Sequence, residues 1–111
     1  MTIFPKTVQA YKLPNGDCPI REWRQSILDV YARKAIDIRI DRAAQGNPGK
    51  SRSIGEGIYE LCIDYGPGYR VYFAYDGPKL LLLLAGGDKS TQTTDIKTAK
   101  RYLKQYKGDQ T

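Results

Sequence analysis

The sequence predicts an α+β fold. One twisted antiparallel β-sheet carries two N-terminal helices packed on one face, and a C-terminal helix closes the chain. Three observations predict it. Apolar residues recur at helical spacing between Ile20 and Ala43, the period switches to two from Ile58, and helical spacing returns at Ile96. A length of 111 residues suits one domain, residues 1–111, with a modest core of its own. The chain carries no internal repeat and no low-complexity segment.

Each element has a local reason. Thr7 to Leu13 reads as an edge strand, closed by the turn signal "PNGD". Pro19 suits a first helical turn, with Asp17 or Cys18 before it as the cap. Ile20, Trp23, Ile27 and Val30 then form one apolar stripe, and Ile36, Ile40 and Ala43 form a second, edged by Arg39 and Arg42. These are two helices or one bent helix, and Gly46 supplies the C-terminal stop. From Ile58, Tyr59, Leu61, Ile63 and Tyr65 alternate with Glu60, Cys62 and Asp64. A "GPG" turn at Gly66–Gly68 joins this strand to Tyr69–Tyr75, and "DGP" at Asp76–Pro78 makes the next turn. The run "KLLLLLA" is apolar on both faces, which predicts the central, doubly covered strand of a three- or four-stranded meander. After the loop "GGDKSTQTTD", Ile96, Ala99, Leu103 and Tyr106 mark the last helix.

Composition narrows the function. The net charge of +6 is concentrated in residues 31–55 and 89–111, which flank a mildly acidic sheet region. Such basic segments favour a polyanion, nucleic acid above all, or an acidic protein; the alternative is a basic solvated surface. With no histidine, the histidine-based hydrolases and histidine metal sites are excluded, so proton chemistry must fall to Lys, Arg, Tyr, Asp or Glu. Two cysteines, Cys18 and Cys62, fit no metal or redox spacing, which reads as free thiols in a reduced, cytoplasmic setting. The first twelve residues contain no leader-like apolar run, and Leu80–Ala85 is too short to span a bilayer.

Candidate chemistry centres on Arg70. If the helices cover the face of Tyr69, Val71 and Phe73, then Arg70 and Tyr72 share the other face, which the twist makes a shallow groove. There Arg70 is solvated, is paired with Glu60 or Asp64, or grips an anion. Lys89, in the loop after Gly86-Gly87, and Lys50 and Arg52, in the loop "GKSRS", converge on the same groove. Four cations beside Tyr65 and Tyr72 suit a phosphodiester with stacked bases.

The segments "IGEGIYELCIDYGPGYRVYF" and "LLLLLAGGDKSTQTTDIKTAKRY" resemble the phage-derived killer-protein (HigB-like addiction-module) branch of the RelE/ParE toxin superfamily. The upstream "REWRQSILDVYARKAIDIRIDRAAQGNPG" is similar to that branch's tryptophan-bearing helix pair, so the likeness runs from about Val8 to Tyr106. The resemblance implies a RelE-like fold with helices on one side of the sheet. It also implies a toxin of a two-gene module, neutralised by an antitoxin that in this branch is usually a helix-turn-helix protein. RelE-type relatives are ribosome-dependent endoribonucleases acting on mRNA, with no metal or other cofactor. By motif position Arg70 resembles the strand arginine that contacts the scissile phosphate, and Lys89 the basic residue that aids the leaving group. Lys50 and Arg52 fall near the preceding basic cluster. Two positions depart from the pattern: Cys62 stands where the branch more often has arginine, and Asp95 where the best-known members place a catalytic tyrosine, although this branch commonly has aspartate.

RNA brings its own nucleophile, so such an enzyme need only align the 2′-OH, stabilise the phosphorane and protonate the 5′-oxygen. Arg70 suits the phosphorane and Lys89 is an acid or a second electrostatic clamp. The base is Lys50, Tyr65 or Tyr72. Two other classes compete: a gyrase-inhibiting toxin of the same superfamily, and a non-catalytic nucleic-acid-binding module. A retained cationic groove argues against the first, and cleavage at defined codon positions has no place in the second.

Overall fold

A computed structural model of the chain describes residues 5–108. The elements are β1 (Thr7–Ala10), α1 (Pro19–Ser26), α2 (Val30–Ala44), β2 (Ser51–Gly55), β3 (Ile58–Ile63), β4 (Tyr69–Asp76), β5 (Leu80–Asp88), a 3₁₀ turn (Lys89–Thr91) and α3 (Gln92–Gly108). Residues 1–4, the start of the stretch read for a leader, lie outside the described residues. Among the described residues no helix is long and apolar enough to cross a membrane.

Pro19 opens α1 behind Cys18, whose side chain makes no capping bond. The helical run then breaks at Ile27–Asp29, so there are two helices rather than one bent element. Asp29 starts the second. Its Oδ1 accepts from the backbone N–H groups of Tyr31 (2.9 Å) and Ala32 (3.3 Å), while its Oδ2 accepts from the Tyr65 hydroxyl at 2.9 Å. Val30, expected on the first apolar stripe, begins α2 and is exposed. Asp29→Ala is expected to destabilise the protein, since it removes an N-cap and a bond to the β3–β4 turn together. A urea titration reads this as a lower midpoint with the slope unchanged.

The five strands form one sheet in the order β1-β5-β4-β3-β2. The meander β2–β5 is antiparallel, but β1 lies parallel to β5, with Thr7 opposite Leu80 and Ala10 opposite Leu83. The sheet is therefore mixed, not purely antiparallel as expected: the direction of β1 depends on how many hairpins intervene, which local pattern does not encode. The segment holding Lys50 and Arg52, expected as a loop, becomes the edge strand β2 from Ser51. β5 is doubly covered as its apolar run predicts, though the middle position belongs to β4.

The larger correction concerns the second face. On one side Val71, Phe73, Leu81 and Leu83 pack with Ile20, Ile27, Ala32 and Ile36 of the α1–α2 layer. On the other, Tyr72, Ala74, Leu82 and Leu84 pack with Ala99 and Leu103 of α3. Helices thus cover both faces. An α3 stripe of Ile96, Ala99 and Leu103 and a β5 apolar on both sides each remove water-exposed apolar surface by meeting. The face carrying Arg70 is consequently not open.

Candidate functional site

Strand register brings the candidate residues together on the α3 face. Arg52 lies opposite Glu60 and Glu60 opposite Tyr72. In the next row Cys62 is opposite Arg70, and Arg70 opposite Gly87. Just beyond, the Lys50 carbonyl accepts from the Cys62 N–H at 2.9 Å. Arg39 of α2 fixes this corner, donating from Nη1 to the Cys62 carbonyl (2.7 Å) and from Nη2 to those of Pro48 (2.9 Å) and Lys50 (2.8 Å).

Two carboxylates organise the cations. Glu60 is fully buried, and its Oε1 accepts from Arg52 Nε at 2.8 Å while Arg70 Nε stands 4.0 Å away. Its Oε2 accepts from Gln92 Nε2 at 2.9 Å. Asp64 sits at the rim, where Lys50 Nζ meets its Oδ2 at 2.6 Å. The Lys50 hydrogen bond, then the charges of Lys89 and Arg70, hold the Asp64 carboxyl below its usual range.

Arg70 occupies a recess rather than an exposed strand face: it is 7% exposed. Its Nη1 donates to the Tyr69 carbonyl at 3.0 Å, and its buried Nε has no hydrogen-bond partner among the described residues. A guanidinium offers five N–H donors in a planar fork, so this one is under-used. Lys89 begins the 3₁₀ turn at the end of β5. Its N–H donates to the Gly68 carbonyl at 3.1 Å and its aliphatic stem lies against Gly68. Close packing explains the "GG" that precedes it: a Cβ on Gly86 would sit 2.2 Å from the Trp23 ring, and one on Gly87 would sit 1.8 Å from Asp95 Oδ2.

Of the two tyrosines proposed for base stacking, Tyr65 keeps an exposed ring and Tyr72 is reassigned. Tyr72 is 0% exposed, enclosed by the α3 layer, and offers no ring face to a base. Burial first, then the neighbouring Glu60 carboxylate, pushes its phenol far above the ordinary value, so Tyr72 does not serve as a base either. Tyr65 is half-wet, but its hydroxyl is engaged by Asp29 at the start of α2, and that bond raises its phenol too. Lys50, the remaining expected base, is exposed beside the recess, where a carboxylate rather than cations faces it. The two departures from the family pattern are also located. Cys62 is buried beside Glu60 and Arg70, its thiol raised by burial, and Asp95 accepts from the Thr91 hydroxyl with its carboxyl raised by burial.

Sequence reasoning considered Glu60 only as a partner for Arg70 and missed Gln92 and Arg39. The signal for Glu60 was available, because pairing "KSRS" with "YELC" in a hairpin sets Arg52 opposite it. Burial alone would raise the Glu60 carboxyl, but the hydrogen bonds from Gln92 and Arg52 outweigh it and leave the value below the ordinary one. A depressed folded value means this contribution to stability is present above the unfolded pKa and is lost as pH falls through the folded one. Glu60→Gln should therefore flatten the decline in melting temperature below about pH 4, as read by thermal melts across pH 3 to 7.

Among the described residues no group of His, Cys, Asp and Glu could hold a metal ion. Residues 26–107 match the family model described as Phage derived protein Gp49-like (DUF891). An uncharacterized protein of Haemophilus influenzae is 47% identical over 78 residues, which cover 70% of this chain and 79% of that protein. With the match running from the end of α1 through α2 and β2–β5 into α3, and so over every residue of the recess, the chain belongs to the Gp49-like phage-derived family, a family of toxin-antitoxin-related toxins.

Proposed function

We propose that this chain, as a single toxin domain, is the toxin of a type II toxin-antitoxin module. In this reading it works in the cytoplasm as a ribosome-dependent mRNA endoribonuclease and needs no metal or other cofactor. The observation that carries the reading is the recessed, under-bonded Arg70 guanidinium with Arg52, Lys50 and Lys89 around it. A buried arginine that among the described residues donates to its neighbour's carbonyl and faces a carboxylate only at 4.0 Å has donors to offer an anion, and a scissile phosphate is the anion that a basic toxin of this shape would meet.

In this mechanism Lys50 first leaves Asp64 and gives up its own proton to solvent; the RNA 2′-oxygen then attacks the adjacent phosphorus and loses its proton to the neutral Lys50 amine. Arg70 binds the equatorial phosphorane oxygens, where charge develops. The bond to the 5′-oxygen breaks as Lys89 protonates it, leaving a 2′,3′-cyclic phosphate and a 5′-hydroxyl. Arg52 and Lys50 hold the flanking backbone electrostatically. The ribosome supplies the alignment that so sparse a site lacks. The cognate antitoxin, a helix-turn-helix protein in this reading, silences the toxin by covering the basic surface.

Primer extension on programmed ribosomes tests this. Cuts at fixed codon positions, present only with ribosomes and with the intact protein, are expected. Intact mRNA beside a toxic protein would overturn the nuclease reading and make gyrase the next target. Binding that weakens steeply with salt, without cleavage, would mark a nucleic-acid-binding module.

A further inference from the structure

The cations of the recess come from separate elements, Arg52 from β2, Arg70 from β4 and Lys89 from the turn before α3, and one side chain, Glu60, pairs with the first, faces the second and binds Gln92, which follows the turn of the third. Glu60 Oε1 takes Arg52 at 2.8 Å and faces Arg70 at 4.0 Å. Glu60 Oε2 takes Gln92 at 2.9 Å, and Gln92 is the first residue of α3, directly after the turn that begins with Lys89. A buried carboxylate needs donors merely to be tolerated, and Arg52 and Gln92 meet that need. Tolerance does not require a second, largely buried guanidinium beside it with its Nε unbonded.

We infer that Glu60 is a positioning residue of this site, holding Arg52, Arg70 and the Lys89 turn at the spacing a scissile phosphate requires while leaving the Arg70 donors free. The inference rests on the nuclease reading proposed above. Without the carboxylate, two guanidinium groups in neighbouring rows of one sheet would face each other as like charges, and the mutual repulsion would move the mobile one. With it, Arg52 is fixed by a close ion pair, and Arg70 is attracted without being consumed. At 4.0 Å the Arg70–Glu60 contact lies beyond hydrogen-bond range, so an entering phosphate need not break a short bond to engage Nε. Gln92 does for the Lys89 turn what Arg52 does for β2: it ties the element to the same carboxylate.

Glu60→Gln tests this, because the amide keeps the shape and removes the charge. Cleavage on programmed ribosomes is expected to fall about 10- to 100-fold, the cost of misplacing the groups that act on the phosphate. Binding to the same ribosomes programmed with mRNA carrying a 2′-deoxy residue at the cut position should stay equal or become tighter, since the variant is one unit more positive. Loss of the Glu60 charge lowers the melting temperature in either case, so binding decides: a merely structural role would lower rate and binding together, and that result overturns the inference. So does a Glu60→Gln enzyme that cleaves like wild type, which leaves the nuclease reading standing. Gln92→Ala, which cuts only the tie to the turn, should lower the rate less and leave binding unchanged. If the wild type itself does not cleave, the nuclease reading fails alone. The Nε–Hε signals of Arg52 and Arg70 in a ¹⁵N–¹H spectrum then decide. Loss of their distinct positions in Glu60→Gln supports positioning, and unmoved signals overturn it.

Discussion

Arg70→Ala is expected to lower ribosome-dependent mRNA cleavage by about 10²–10³-fold, the usual effect of deleting one preorganised donor group from a charged transition state. The protein should stay folded. The hydrogen bond that Arg70 makes goes to the carbonyl of its own neighbour, and Glu60 keeps both Arg52 and Gln92 when the guanidinium is gone. Arg70→Lys should fall between wild type and alanine, because a point charge restores attraction but not the planar fork. Primer extension beside a thermal melt reads both properties. Loss of cooperative unfolding in the alanine variant would make Arg70 a structural residue and remove it from the proposed mechanism.

Gly86→Val is expected to destabilise the fold by about 2–3 kcal/mol, the range for forcing extra methyl groups into a packed core. The cause is local. Trp23 lies flat enough on β5 that any Cβ at Gly86 comes 2.2–2.5 Å from its ring, and that ring is also held edge-on to Tyr69, 6.2 Å between centroids. The indole must leave, taking α1 away from the sheet. A denaturation midpoint shifted down at constant slope would show it, whereas a valine variant as stable as wild type would mean that Trp23 is not held there. Gly87 meets the same limit on the opposite face, where Asp95 fills the space of a side chain. The adjacent glycines therefore let one strand touch a helix on each side.

What could be read beforehand divides along a physical line. Alternation in "IYELCI", the "GPG" turn and Pro19 are local signals, and each predicted its element and its partition of side chains between two faces. Which faces are covered is not local. The assumption of one bare face misplaced Arg70 and Tyr72, although a β5 apolar on both sides already required cover on both. The position of β1 beside β5 and the strand character of Ser51–Gly55 depend on pairing across distance, which single-segment patterns do not carry. Within the candidate site, cation types were legible from charge and turn position. Their common acceptor, Glu60, was legible as a residue but not as a hub, because its partners arrive from three different elements.

The parallel pairing of β1 with β5 has a kinetic meaning. Strands β2 to β5 meet through short turns, so that meander is assembled from contacts close in sequence. Thr7 must instead find Leu80 after both helices and three hairpins have been threaded between them, and closing so long a loop has its entropy cost before any contact repays it. The sheet is thus expected to form as a four-stranded meander to which one short, mostly exposed strand is added late. The same strand, joined to the rest by a pairing so distant in sequence, is expected to open at low cost, at the edge farthest from Arg52 and Glu60, and hydrogen exchange at Thr7–Ala10 reads it.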